Sequence, residues 1–252
     1  ALDRDPQAVA HARTAFAGNV AFAIEQRNFA ELAPWAEHKG LLGRVDGLLF
    51  DLGVSSPQID DPTRGFSFSA DGPLDMRMNP ALGESAAAWL TRADEHEIAD
   101  VLWRYGEERN SRRIARRIVA QRETTPIQTT AQLAELIAAV PGPRSRKIHS
   151  ATRSFQALRI HINGEMEALE AALAALPAVL APGGRVAIIS FHSLEDRLVK
   201  RSLRDGATKV RDGVALHPIF ARPRRYFPTA AEVADNPRAR SAVLRVAQRL
   251  PA

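Results

Sequence analysis

An open α/β sheet interrupted by a block of helices is the fold class this sequence predicts, and three observations carry it. The run Val45-Asp46-Gly47-Leu48-Leu49-Phe50-Asp51-Leu52 is apolar, stops at a carboxylate and is followed by the turn residues Gly53-Val54-Ser55-Ser56-Pro57-Gln58. A second apolar run, Arg185 to Phe191, follows the breaker Pro182-Gly183-Gly184 and ends at His192-Ser193. Between the two, from Glu84 to Ala139, the hydrophobic period is helical throughout. Strands apolar on both faces belong in the middle of a parallel sheet, and such sheets bind ligands outside the carboxyl ends of their strands. Residues 51–58 and 190–193 are therefore expected to line one crevice, and helices uninterrupted by a strand are expected to be an insertion.

At the start of the chain, Leu2-Asp3 reads as a strand tip and Pro6 as the first turn of a helix reaching about Phe16. An acidic residue at such a tip accepts hydrogen bonds from a ribose in dinucleotide-type folds, where it follows a glycine-rich loop. Asp3 fits that role with no such loop ahead of it, so either the natural protein extends upstream or the chain lacks a first strand and its loop. Phe22 to Asn28 reads as a weaker strand and Glu31 to Lys39 as a helix. Phe29, just past that strand, is placed either against a purine ring or in the core.

The long stretch after Gln58, with Arg64, Phe66, Phe68, Asp75, Met76, Arg77 and Met78, is expected either to fold over the crevice or to cover the sheet edge. The inserted helices are expected at Glu84–Leu90, Glu95–Tyr105, Glu107–Gln121 and Thr130–Ala139. In the third, Arg109, Arg112, Arg113, Arg116 and Arg117 fall at i, i+3, i+4, i+7 and i+8, opposite Ile114, Ala115 and Ile118. A face made almost wholly of guanidinium forks suits phosphates better than a mixed solvated surface would.

A second basic cluster holds Arg144, Arg146, Lys147 and His149 and leads into a helix carrying Arg153 and Arg159, expected to run on to about Leu180. Ser193 is the expected cap of a helix from Leu194 to Leu203. Arg222 to Tyr226 reads as a basic loop. Ser241 to Ala247 alternates and suits an antiparallel strand at the sheet edge.

Composition removes several function classes. The 252 residues are 45% hydrophobic, enough for a packed interior, and contain no cysteine, which rules out disulfides, thiolate catalysis and Cys-bound zinc. No apolar run approaches the roughly 20 residues of a membrane span, and the expectation is a cytoplasmic protein with no membrane partner. A net charge of +5 and a pI near 10.2 make a polyanionic partner reasonable. A nucleotide-dependent oxidoreductase would need a Gly-x-Gly-x-x-Gly turn, which the sequence lacks.

Several segments together resemble a known family: Leu2 to Pro6, Asp51 to Gln58, Arg64 to Phe68, Asp71 to Met78, Tyr105-Gly106-Glu107-Glu108-Arg109, Ser190 to Arg197 and Asn236 to Ser241. They are similar, in order and across the chain, to the bacterial 16S ribosomal RNA cytosine-N4 methyltransferases. The resemblance implies a Rossmann-like class I methyltransferase sheet formed by 1–83 and 164–252, truncated at its N-terminus, with an all-helical substrate-recognition domain at 84–163. It implies S-adenosylmethionine as cofactor, with Asp3, Phe29, Asp51 and Gln58 contacting it. The family's Gly-Gly-His segment, expected ahead of Ala1, is missing, so a non-catalytic RNA-binding remnant is the alternative to an active enzyme. The implied partner is 16S ribosomal RNA in the small subunit, with a homodimer as a further expectation.

The chemistry of amine methylation needs positioning and hydrogen-bond acceptors, with no covalent nucleophile or metal. By location Ser55, Ser56 and Asp75 are the candidate acceptors, and His192 is the candidate proton relay. Substrate RNA is expected on Arg109, Arg112, Arg113, Arg116, Arg117, Lys147, Arg153 and Arg159.

Overall fold

The computed structural model describes residues 1–142, 149–208, 210–211, 214–215 and 217–251. The chain divides into two compact units, one made of 1–53 with 166–252 and the other of 54–165. Lys147, with Arg144 and Arg146, lies outside the described residues.

The chain opens with β1 (Leu2–Asp3) and α1 (Pro6–Ala15). Buried Asp5 caps α1 by accepting from the Gln7 N–H, and Pro6 supplies the preset first turn. β2 (Glu25–Gln26) pairs parallel with β1 and is shorter than the strand the sequence suggests. The Asn28 side chain accepts from the Ala30 N–H, which starts a 3₁₀ turn at Phe29–Glu31 and leads into α2 (Leu32–His38). Next comes β3 (Val45–Asp51).

The second unit begins with α3 (Ser56–Asp60). It continues through α4 (Ala86–Arg92), α5 (Glu95–Gly106), α6 (Ser111–Arg122), α7 (Thr130–Ala138) and α8 (Thr152–Asn163). Its core joins Trp89, Ile98, Leu102, Ile114, Ile118, Leu133 and Leu158. The irregular stretch after α3 belongs to this core, since Leu74 and Met76 are fully buried in it and Phe66 and Phe68 pack against it. Leu74 donates its N–H to the Gln128 carbonyl and Thr130 donates to Gly72, so a short backbone pairing stitches the stretch beside the start of α7. Its apolar anchors are thus spent inside the helical unit.

Two expected helix limits are corrected here. α6 starts at Ser111 and not at Glu107, because Glu107 sits at φ 49° as the left-handed cap of α5 and the Glu108 carboxylate accepts the Asn110 N–H in the turn between them. Arg109 therefore precedes the helix. The helix through Arg159 ends at Asn163, where Gly164 at φ 57° takes the left-handed cap that a glycine adopts without strain.

A separate helix, α9 (Glu165–Val179), then leads to β4 (Leu180–Ser190) and α10 (Ser193–Gly206). The short β5 (Val210–Arg211) and β6 (Val214–Ala215) pair with each other. β7 (Arg224–Tyr226), α11 (Ala230–Asp235) and β8 (Val243–Gln248) complete the chain. The main sheet has the order β3-β4-β8-β7, with β3 and β4 parallel and the rest antiparallel.

The sheet corrects two expectations. β3 lies at an edge of its sheet, not in the middle, with β4 as its one strand partner among the described residues. Phe50 is buried while Leu49 is 69% exposed. An apolar run shows what a strand is made of and not how many neighbours it has. β8 is antiparallel as expected but sits between β4 and β7, and the edge is the Arg224–Tyr226 segment read as a loop. Arg245 of β8, buried beneath α10, makes a two-point bond to Asp196 at 2.7 and 3.0 Å, which gives an inward-facing cation its partner.

Candidate active site

The sheet unit brings two of the predicted site residues to one edge. Asp51 lies opposite Ile189 in the parallel β3–β4 register, so Asp51 and the residues just past Ser190 emerge at the same carboxyl end. Gly53, at φ 85°, lies against this strand tip: a Cβ built on it would be 3.9 Å from Glu195 Oε1 and 4.0 Å from Phe191 Cδ2. The expectation that Asp51 and His192 share one edge is met.

His192, and not Ser193, caps α10. Its Nδ1 accepts the Glu195 N–H at 3.4 Å, while Glu195 Oε2 accepts the Phe191 and His192 N–H groups at 2.8 and 3.3 Å. This reciprocal pair is a capping box in which an imidazole takes the place usually held by a hydroxyl. An accepting Nδ1 puts the proton of the neutral ring on Nε2, which lies 3.2 Å from Glu195 Oε1 without the alignment of a hydrogen bond. Glu195 is 3% exposed and was not singled out from the sequence, although its spacing of three from His192 is the capping-box signal. Burial and the Glu195 charge together push the Asp51 carboxyl above its ordinary value.

Asp3 ends β1, where its Oδ1 accepts the Asp5 N–H at 2.8 Å. Loss of solvent pushes its carboxyl up despite the backbone hydrogen bonds from Asp5 and Arg4. Phe29 meets Phe50 edge to face, with ring centroids 5.9 Å apart, and is partly buried against the sheet core. The chemistry of these groups fits the ribose and purine of S-adenosylmethionine, because an under-solvated carboxylate gains from paired hydroxyl donors and a half-exposed ring offers an apolar face.

The remaining predicted residues belong to the helical unit. Ser55 caps α3, and its N–H donates to Gln58 Oε1 at 2.9 Å while its side chain accepts the Gln58 N–H. Gln58 is buried and Ser56 is exposed. Asp75 is gripped by Arg77, whose Nε and a terminal nitrogen donate to its two carboxylate oxygens at 2.8 and 2.7 Å, while Met76 between them takes φ 65°. Burial raises Asp75, but the side-chain and backbone hydrogen bonds from Arg77 outweigh it and hold the carboxyl below its ordinary value. The carboxylate is thus a fixed, ionised acceptor.

Arg112, Arg113, Arg116 and Arg117 are exposed on α6 with Ile114, Ala115 and Ile118 buried opposite, and exposed Arg109 adds to them from the preceding turn. Arg113 donates to the Pro141 carbonyl at 3.1 Å, and Arg116 lies 3.5 Å from Glu95. Arg153 donates to the Glu107 carbonyl at 3.4 Å. Arg159 is half-buried and makes two 2.8 Å bonds to Glu165. Trp103, 59% exposed on the polar side of α5, was not singled out from the sequence. The signal was present, since Ile98 and Leu102 mark the buried stripe and Trp103 falls beyond it.

Among the described residues no helix is long and apolar enough to cross a membrane. Comparison with known proteins adds relatives along nearly the whole chain. A protein of Thioalkalivibrio sulfidiphilus named Ribosomal RNA small subunit methyltransferase H is 56% identical over 99% of this chain and 82% of its own length. Proteins of the same name from Stenotrophomonas maltophilia and Shewanella amazonensis are 56% and 51% identical, over 98% and 100% of this chain and 78% and 83% of their own lengths. The model of the MraW methylase family, whose fold is that of class I methyltransferases, matches residues 1–250, and the chain belongs to that family.

Proposed function

We propose that this protein methylates the exocyclic N4 of a cytosine in 16S ribosomal RNA of the small ribosomal subunit, with S-adenosylmethionine as donor, and so acts in the cytoplasm. The observation that carries the reading is the shared carboxyl edge of β3 and β4, with Asp51, Gly53 and the Phe191–Glu195 cap, in a chain of this methylase family. The alternative of a non-catalytic RNA-binding remnant finds no support in relatives named as methyltransferases along nearly the whole of this chain.

S-adenosylmethionine, when bound, supplies an electrophilic methyl group on a positively charged sulfur. In this reading Asp3 accepts from the ribose, supported by its under-solvated carboxylate, and Phe29, Asp51 and Gln58 complete the cofactor contacts. The cytosine amine shares its lone pair with the ring, so acceptors that draw on its hydrogens favour the pyramidal nitrogen that attacks. Ser55, Ser56 and Asp75 are assigned that work. Arg77 supports the assignment for Asp75 by keeping the carboxyl ionised. His192 is assigned the relay of the proton released from the amine: its Nδ1 is occupied by the Glu195 N–H, so Nε2 must pass its own proton to the Glu195 carboxylate, 3.2 Å away, as it takes up the one from the amine.

RNA recognition falls to the inserted helices of 84–163, chiefly the exposed arginines Arg109, Arg112, Arg113, Arg116 and Arg117, with Lys147, Arg153 and Arg159 assigned alongside. The direct test incubates the full chain with methyl-labelled S-adenosylmethionine and small subunits from cells lacking the modification. Label recovered as N4-methylcytidine at one 16S position is the expected result. Label absent from the RNA, or on another base, overturns the reading.

A further inference from the structure

The helical unit leaves one large aromatic side chain in water beside cations that hold nothing among the described residues. Trp103 is 59% exposed, against 1% for Trp89 on neighbouring α4. It lines a groove of about 560 Å³ with His96 and Asp100 of α5 and with Arg109, Asn110 and Arg112 at the start of α6. That volume falls within the roughly 300–1,000 Å³ of small-molecule sites.

Three features of the groove point to one chemistry. Arg109 and Arg112 have no hydrogen-bond or ion-pair partner among the described residues, unlike Arg113 and Arg116 beside them. Helix α6, twelve residues long, begins without a side-chain cap and without an acid in its first turn, so the Arg112 and Arg113 N–H groups point out of the helix with no intrahelical acceptor. The one carboxylate of the groove, Asp100, is answered by Arg104 at 3.4 Å. A flat aromatic face, two unspent guanidinium groups and an open helix N-terminus are the complement of a base joined to a phosphate. Base faces are hidden in a duplex and open in a single strand.

We propose that this groove binds one single-stranded nucleotide of the substrate RNA, its base stacked on Trp103 and its phosphate between Arg109, Arg112 and the first turn of α6. The site is additional to the pocket that receives the methylated base. It rests on the proposed function only in taking RNA as the substrate.

The test uses the full chain and a single-stranded oligoribonucleotide of about eight nucleotides, within the usual range of such sites. Binding is read by tryptophan fluorescence and by filter retention across a salt series. Trp103→Ala should abolish the quenching and weaken binding by about 5- to 150-fold, the range for one stacked base, with Trp103→Phe in between. An abasic oligonucleotide should bind the parent protein as poorly as the normal one binds Trp103→Ala. Arg112→Gln should weaken both ligands and flatten the log-log salt slope by about one. Unchanged affinity of Trp103→Ala for the oligonucleotide overturns the proposal. Weaker binding to intact small subunits with unchanged oligonucleotide affinity also overturns it, making the groove a contact for protein. Methyl transfer by the parent protein is scored separately, so a failed methylation assay with intact Trp103-dependent binding removes the proposed function and leaves this site standing.

Discussion

Asp75 and Asp51 are carboxylates tuned in opposite directions, and each tuning has a consequence for stability. Asp75 is held below its ordinary value of 3.8 by Arg77, so its contribution to stability is present above that value and is lost as pH falls through the lowered one. Asp75→Ala should destabilise the protein by about 1–3 kcal/mol near neutral pH, as expected when a charge-assisted pair is broken and Arg77 keeps, among the described residues, only the Gly83 carbonyl as acceptor, and the deficit should shrink in acid. Urea titrations at pH 7 and at a pH well below 3.8 check both statements. Asp51 is raised by burial and Glu195, so its favourable share is present below 3.8 and is lost as pH climbs through the raised value. Asp51→Asn should therefore melt above the parent at pH 7, with the difference fading toward acid; a variant that melts lower at every pH would mean that the carboxylate is structurally required. Asp3→Ala should weaken S-adenosylmethionine binding by about 1.5–3 kcal/mol in calorimetry, the range for hydrogen bonds to a charged group. Unchanged affinity would move the ribose role to another residue.

Close approach of whole elements depends on single side chains. α5 and α8 pack so tightly at Gly106 that an added Cβ would lie 2.6 Å from the Arg153 carbonyl oxygen and 3.2 Å from Ala157 Cβ. Backbone cannot yield as a flexible side chain does, so Gly106→Ala should cost about 1–3 kcal/mol, measured as a lower urea midpoint with an unchanged slope. The adjoining Glu107 closes α5 in a left-handed conformation and Gly164 closes α8 in the same way. These two stops set where α5 and α8 end, and the first of them moves Arg109 off α6.

At the scale of the molecule, the surface expected to meet a polyanion is a local one, with five arginines between residues 109 and 117. Changing Arg112, Arg113 and Arg116 together to Gln keeps helix propensity near that of Arg and leaves buried Ile114, Ala115 and Ile118 untouched, so the fold should persist. Affinity for the small subunit should drop and its salt slope flatten by up to about three, one for each phosphate contact, with S-adenosylmethionine affinity unchanged. Undiminished methylation across a salt series would reduce the stripe to a solvated face.

Much of this was legible in the residues because it is local. The apolar runs ending at Asp51 and Ser190, the helix start at Pro6, the helical period from Glu84 onward and the arginine face opposite Ile114 and Ile118 follow from backbone sterics and side-chain periodicity within a few residues. Chain-long family motifs added the methyltransferase class. Other features depend on partners far away in sequence, and only the tertiary structure decided them. Whether β3 is an interior or an edge strand, and whether β8 lies inside β7, depends on how many strands come to pair. The destination of Leu74 and Met76 depends on a core assembled from five later helices. The cap on α10 went to His192, not Ser193, because a buried Glu195 completes the box. Trp103 and Arg112, on different helices, acquire a shared groove only when those helices pack, since side-chain proximity across elements is a property of packing and not of spacing.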